Sequence, residues 1–383
     1  MRVTQLDLRP IPSAASLARL RGADVAGALA QAAAEPDPAN RFMRMFQVLQ
    51  ATGQDALALE MQARALERCC LYRIAGPAVP ALRLLALMGP GTMLDNAPLD
   101  FLLEGSDVRL DLLYLLPGAA LPAELPEHDV AIVALAESQK SRPLLARIEE
   151  LIALWPRPVL NHPQGILRCA RDRAWQVLAA VPGLLVPQTR RLAREELRGA
   201  GLPCTIRPVD TQAGKGLERI DSPDGLAAYL ASHPEPWFYV SDFVDCAGAD
   251  GLYRKLRIAL IDGRPYICHL AISAHWIVHY LPAGMEASAA KRAEEATLMQ
   301  AFDIGFAVHH QQALQAIATG LGLDYVVIDC AQTRDGRLLL FEADIRGWIH
   351  ATDPPALFPY KPAVMQRAFD AFRAMLLARA AAR

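Results

Sequence analysis

The chain has no surplus of either charge: 39 Lys and Arg stand against 41 Asp and Glu, a net charge of −2 over 383 residues. Proteins that neutralise a phosphate backbone carry a basic excess, so a nucleic-acid partner is not expected. Close cysteine pairs are also scarce. Of seven cysteines only Cys69 and Cys70 are near neighbours, and no CxxC occurs. That spacing suits neither a disulfide framework nor a structural zinc site, and it predicts reduced, mostly buried thiols in a cytoplasmic protein. No apolar run follows a basic start, so no secretory leader is expected. The longest charge-free run, 266–285, holds three histidines and a proline, which argues against a membrane span. With 53% hydrophobic and 21% charged residues, general disorder is excluded.

What is present divides into three parts, in keeping with about 100–200 residues per domain. Residues 1–78 read as a helical N-terminal domain. Within it 42–73 reads as one helical hairpin turning at Thr52-Gly53, with Ala58, Ala65 and Leu66 at helical spacing. The hairpin resembles a single tetratricopeptide-type unit, although stacked repeats need about three copies and no second one is found. Residues 79–162 alternate between strand and helix. Leu82–Met88 is a continuous apolar run, 108–115 and 129–135 are further strands, 142–154 is an amphipathic helix, and 158–161 is a short strand. This is the pattern of a doubly wound parallel sheet. Residues 163–383 are α+β, dividing near 245/246. Hairpins turn at Asp262-Gly263 (arms 257–261 and 266–280) and Asp335-Gly336 (arms 325–332 and 337–343), and 363–383 reads as a terminal helix.

The last hairpin carries the strongest chemical signal. Asp329 lies on its first strand, with Glu342 and Asp344 on its second, two residues apart and so on one face. Three carboxylates converging in apolar surroundings repel one another unless compensated. A hard divalent cation held with substrate phosphates is the expected compensation. Arg207 ends a strand and leads into Asp210-Thr211-Gln212-Ala213-Gly214-Lys215-Gly216-Leu217, a loop able to present backbone N–H groups to phosphate. It is not a Walker loop, because GxxxxGK[ST] is absent. His269, His275 and His279 are separated by even numbers, so a continuous strand would set them on one face, as substrate contacts or as core histidines. Zinc is disfavoured because position 276 is Trp, so HExxH fails.

Taken in order, these pieces resemble the ATP-grasp superfamily, over about 160–350, with 80–162 similar to its preceding α/β domain. Arg171-Asp172-Arg173 resembles that superfamily's "DK" signature and Val186-Pro187-Gln188-Thr189 its "P-x-T" strand. Thr205-Ile206-Arg207-Pro208 resembles its "vKP" strand, 210–217 its phosphate loop, and Ser241–Val244 its adenine hinge. Asp329 followed by Glu342 and Asp344 resembles the paired metal-ligand strands. By pattern the glutathione-synthetase-like and ribosomal-protein-glutamate-ligase-like branches are nearest. Three positions depart from the pattern: Arg173 and Arg207 stand where lysines are usual, and Asp344 where asparagine is usual.

The resemblance implies a helical cap, an α/β pre-domain and a bipartite ATP-grasp region. It also implies an ADP-forming carboxylate–amine ligase working through an acyl phosphate. ATP would be held by Arg173, Arg207, Thr211, Gln212, Gly214, Lys215, Gly216, Asp242, Phe243, Val244 and Asp245, with Asp245 or Asp250 toward the ribose. Mg2+, or Mn2+ in its place, would be held by Asp329, Glu342 and Asp344. Arg257 and Arg346 would act on phosphate and on a substrate carboxylate. The implied partners are a small-molecule or peptide carboxylate and an amine; a homodimer is compatible with the helical cap. Two alternatives stay open within the family: a degenerate scaffold that binds a peptide, and a phosphotransferase. A Rossmann oxidoreductase on 80–162 is disfavoured, since position 94 is Leu, where GxGxxG needs glycine, and 108–115 ends without an acid.

Overall fold

The computed structural model describes residues 1–20, 22–280 and 282–382. Leu82–Met88 forms a strand because its apolar run is buried on both faces of a sheet, only Arg83 and Met88 being partly open. It lies between Val108–Tyr114 and Val130–Val133, parallel to both, and Val159–Leu160 continues the parallel order. On the other side Leu71–Ile74 pairs antiparallel with Val108–Tyr114 and parallel with Pro10–Ile11, completing six strands. The expected parallel sheet is present, with one antiparallel strand added. That strand includes Arg73, where the sequence pattern runs helix too far. The helices of the hairpin are Pro38–Ala51 and Asp55–Leu66, and Gly53 takes the positive φ the turn requires. Asp37 caps the first, accepting the Asn40 N–H at 2.8 Å.

The chain divides into two compact units. Residues 1–166 belong to the first together with Leu323–Tyr325 and the segment from 345 onward. The helical 13–78 and the sheet-forming 79–162 are therefore not separate bodies: Pro10–Ile11 and Leu71–Ile74 tie them into one sheet. The terminal helix Lys361–Ala381 joins this unit too, with Phe372 edge-on to Tyr325 at 5.2 Å between ring centres. The expected last residue of that helix, Arg383, lies outside the described residues.

The second unit comprises Leu167–Gly322 and Val326–Asp344 and contains two sheets. In the first, Thr189–Ala193, Trp237–Asp242, Cys204–Pro208 and Glu218–Ile220 lie side by side, all antiparallel. Ile206, Phe238 and Val240 pack on Leu226 and Tyr229 of helix Pro223–Ser232. In the second sheet the order is Arg264–Ser273, Tyr253–Ile261, Tyr325–Gln332, Leu338–Asp344 and Leu184–Leu185. Asp262 and Gly263 both have positive φ, as the expected two-residue hairpin turn demands. The strand beginning at Arg264 stops at Ser273, short of the expected Tyr280. The predicted helix 165–180 is two helices, Pro163–Leu167 and Arg171–Leu178. Mixed α/β and α+β architecture is thus observed. Among the described residues no disulfide forms, and no helix is long and apolar enough to cross a membrane.

Candidate active site

The second unit holds a cavity lined from both of its sheets. One wall is Ile206-Arg207 and Tyr239 with the segment Ser241–Val244. The opposite wall is Leu340–Ala343, and Arg171 enters from its helix. Strand pairing explains the first wall: Thr205 sits opposite Ser241 and Arg207 opposite Tyr239. Arg207 is 6% exposed. Its guanidinium donates Nε to Thr211 Oγ1 at 3.1 Å and Nη2 to the Thr211 carbonyl, while Thr211 Oγ1 donates to the Pro208 carbonyl at 2.7 Å. A buried cation thus sits at the base of the 210–217 loop and shapes it.

That loop has four consecutive-to-near positive φ values, at Asp210, Ala213, Gly214 and Gly216. Tyr229 Oη donates to the Gly216 carbonyl at 2.6 Å. A Cβ on Gly216 would lie 2.7 Å from Pro208 Cδ, a ring that cannot swing aside, and φ is +66°. Gly216→Ala is therefore expected to destabilise by more than about 1 kcal/mol, measured as a fall in Tm. An unchanged Tm would show that the loop does not hold this conformation. A Cβ on Gly214 would fall on the His279 imidazole, so glycine is what lets the 274–280 segment reach the loop.

The acids are placed by register. Asp329 and Glu342 are direct cross-strand partners, Asp344 sits opposite Val327, and the ladder shifts register after Asp329. A second register shift follows Arg257 on the neighbouring strand. Such bulges re-aim side chains, and here the two meet. Arg257 donates to Asp329 through Nε at 2.8 Å and Nη2 at 3.0 Å, and Lys255 Nζ donates at 2.9 Å. Burial alone would push the Asp329 carboxyl up. Arg257 and Lys255 overcome this and hold it well below the usual carboxylate range. Glu342 pairs with Arg171 at 2.8 Å. The compensation that the sequence pattern assigned to a metal is thus supplied, in this state, by three cations from neighbouring elements. Among the described residues no group of three His, Cys, Asp or Glu is gathered closely enough to hold a metal by itself.

Several expected residues meet at this cavity: Arg207, Asp242, Phe243, Val244 and Glu342 line it. The Asp242 N–H is already given to the Gln188 carbonyl at 3.2 Å. Thr211, Gln212, Gly214, Lys215 and Gly216 form the loop, Lys215 being exposed. Asp245 caps the Ala247 N–H at 3.0 Å, and Asp250 pairs with Arg254 at 2.7 Å; neither lines the cavity. Arg173 donates to Gln176 Oε1 at 3.0 Å, and it is Arg171 that lines the cavity. The histidines do not form one row, because the strand has ended. His269 is buried against Tyr280, ring centres 4.5 Å apart, His275 is exposed, and His279 folds back to Gly214. Burial and the charges of Lys255, Arg207 and Arg257 hold His279 below its ordinary pKa, so it is neutral there at pH 7. Arg346 belongs to the first unit, where it donates to the carbonyls of Leu94 at 2.9 Å and Glu137 at 3.2 Å.

Two cavity or site residues, Trp276 and Lys255, carry no local sequence signal, and Arg171 carries a weak one. Trp276 enters from the segment after Ser273 and meets Phe243 edge-to-face at 5.6 Å, with the Arg219 guanidinium 4.1 Å over the Phe243 ring. Lys255 is one of several cations in its strand, and Arg171 is one residue of a basic pair. The doubled arginines in Arg171-Asp172-Arg173 were the only available hint of Arg171.

No family model matches the sequence, and no curated protein matches it. Solved structures do match. The D-alanine–D-alanine ligase of Bacillus anthracis, complexed with ATP, is 14% identical over 79% of this chain and 99% of its own, with a TM-score of 0.43. The VanG D-Ala:D-Ser ligase of Enterococcus faecalis is 12% identical over 77% and 99%, with a TM-score of 0.49. A RimK domain ATP-grasp protein of Sphaerobacter thermophilus is 17% identical over 77% and 99%, with a TM-score of 0.41. At these identities and scores the likenesses assign no activity, and the chemistry rests on the cavity itself.

Proposed function

We propose that the cavity of the second unit binds ATP and that the chain is an ATP-dependent carboxylate–amine ligase of ATP-grasp type. The observation that carries this reading is the convergence on one cavity of a buried arginine under a glycine-bearing loop, a strand-end hinge, and the hairpin acid Glu342 whose cross-strand partner is Asp329. The base would lie between Phe243, Val244 and Trp276, reading the Asp242 carbonyl. Arg207 would meet phosphate oxygens, and the 210–217 loop would cover them and exclude water.

The oxygen donors of Asp329, Glu342 and Asp344 suit Mg2+, or Mn2+ in its place, because two of them face each other across the ladder. The ion, when bound, would neutralise phosphate charge. The chain's own residues position the reactants. Arg257 keeps Asp329 ionised and oriented, and neutral His279 lies where the two loops touch. In the proposed reaction a carboxylate oxygen attacks the γ-phosphorus and ADP leaves. An amine then attacks the acyl carbon and expels phosphate.

One observation favours a second reading. Asp329 and Glu342 are already paired with Lys255, Arg257 and Arg171, as suits a scaffold that binds nucleotide, or a peptide, without turnover. Calorimetric titration of ATP separates the two. The ligase reading expects binding that needs Mg2+ and weakens at least about tenfold in Glu342→Gln. Binding indifferent to Mg2+ and to the substitution favours the scaffold, and no ATP binding at all removes both nucleotide readings. A stable phosphorylated product in place of ADP-coupled amide formation would mark a phosphotransferase.

A further inference from the structure

Asp329 is compensated twice over. Lys255 and Arg257 are two apart on strand Tyr253–Ile261 and so share a face, and that strand lies beside Tyr325–Gln332. Arg257 gives Nε to Oδ1 at 2.8 Å and Nη2 to Oδ2 at 3.0 Å, and Lys255 Nζ gives a further bond to Oδ2 at 2.9 Å. A planar fork that meets both oxygens already matches an ionised carboxylate, so the ammonium is a second cation on one acid. Glu342 has its own partner in Arg171. Three cations thus stand on two acids, one positive charge in excess. Counting Arg207 across the cavity and Asp344 at the end of the hairpin leaves the same surplus.

That surplus sets what can join the site. A bare divalent ion at Asp329 needs a carboxylate lone pair for itself, and there it meets the Lys255 ammonium. It also adds two further positive charges to the surplus, which buried surroundings penalise. The same ion carried by a triphosphate arrives with net negative charge, and the displaced ammonium then has phosphate oxygens to meet. The two cations differ in how readily they let go. Moving Arg257 breaks two bonds held by a rigid fork. Lys255 holds by one, on a flexible stem that lets its ammonium swing. The charges of Lys255 and Arg207 both bear on His279, the residue seated on Gly214. The ammonium is therefore within electrostatic reach of the 210–217 loop as well as of the acid.

We propose that Lys255 is a built-in counter-cation: its ammonium competes with a divalent ion for Asp329, so that the ion binds strongly only together with a polyphosphate that offers Lys255 a new partner. The inference rests on the ligase reading for Asp329 as a metal ligand, and adds the residue that couples metal to nucleotide. Such coupling is reciprocal: if ATP binding needs Mg2+, the metal binds weakly without ATP, and Lys255 is the cause.

The probe is Mn2+ alone, added to the full-length protein without nucleotide and followed by loss of the paramagnetic resonance signal of the free ion. Lys255→Met is expected to bind Mn2+ at least about tenfold more tightly than wild type. Lys255→Arg keeps the charge and should not gain. Adding Asp329→Asn to Lys255→Met should abolish the gain. A residue that merely braces the sheet would weaken metal binding on substitution, never improve it. Asp329 keeps Arg257 in Lys255→Met, so the variant is expected to fold, checked by its thermal melt; if it does not, Lys255→Gln takes its place. Equal affinity in wild type and the folded variant, an equal gain in Lys255→Arg, or a gain that survives Asp329→Asn would each overturn the proposal. ATP binding by wild type with no gain of Mn2+ affinity in Lys255→Met sinks this inference and leaves the ligase reading standing. A gain of Mn2+ affinity in a protein that binds no ATP keeps the competition at Asp329 and removes the ligase reading.

Discussion

Asp329→Asn is expected to abolish turnover and to lower stability by roughly 3–5 kcal/mol. The side chain is buried and receives three charge-assisted hydrogen bonds, two from Arg257 and one from Lys255. A neutral amide leaves two partly buried cations without their anion, and removing one partner of such a cluster costs far more than the cluster itself contributes. The pH dependence has a definite sign. The folded-state pKa of Asp329 is depressed, so its contribution is fully present above the ordinary carboxylate value of about 3.9 and is lost as pH falls below it. Urea unfolding of wild type and Asp329→Asn should therefore differ by several kcal/mol at pH 7 and by clearly less at pH 3. An equal gap at both would sink the assignment of an ionised, doubly paired Asp329. Adding Lys255→Met to the variant removes one stranded cation and should recover part of the lost stability, a coupling expected only for residues in contact.

Arg207→Met is expected to weaken ATP binding roughly 100-fold, equivalent to losing two charge-assisted hydrogen bonds. The substitution also frees Thr211 and its carbonyl, so the 210–217 loop loses the brace that shapes it. Arg207→Lys keeps the charge but not the planar fork and should fall between wild type and the Met variant. Titration calorimetry at fixed Mg2+ measures both. Affinity within twofold of wild type in Arg207→Met would remove Arg207 from the phosphate site. A drop for Met with full recovery for Lys would mean that charge alone matters and that the fork to Thr211 does not.

These two residues show how far local pattern reaches. Cys204–Pro208 and Tyr325–Gln332 are strands with the same limits from pattern and structure. The hairpin across Asp335-Gly336, with Gly336 at φ +83°, sets Asp329 against Glu342. The strand limits and the return of Asp329 to the side of Glu342 follow from side-chain alternation and a turn residue, which involve only near neighbours in the chain, whereas their direct pairing needs the register shift after Asp329. Arg173 and Arg171 illustrate where that stops. Two residues on a helix diverge by about 200°, so which one faces a cavity depends on how the helix is docked. The histidine row failed for a related reason. Even spacing aligns side chains only while a strand lasts, and Ser273 ends it because the following segment turns to meet Gly214 and Phe243.

The sequence by itself determined most of the elements, the order of strand and helix, the loop that needs its glycines, and the hairpin that carries Asp329, Glu342 and Asp344. Only the tertiary structure decided which cations compensate those acids, that Trp276 and His279 reach the site, that Leu71–Ile74 joins the parallel sheet, and that the terminal helix belongs with the first unit. The difference is physical. Periodicity and turn chemistry act over a few residues, whereas Lys255 and Arg257 reach Asp329 only through the register of strands more than 70 residues apart, set by two bulges and the packing of the whole sheet.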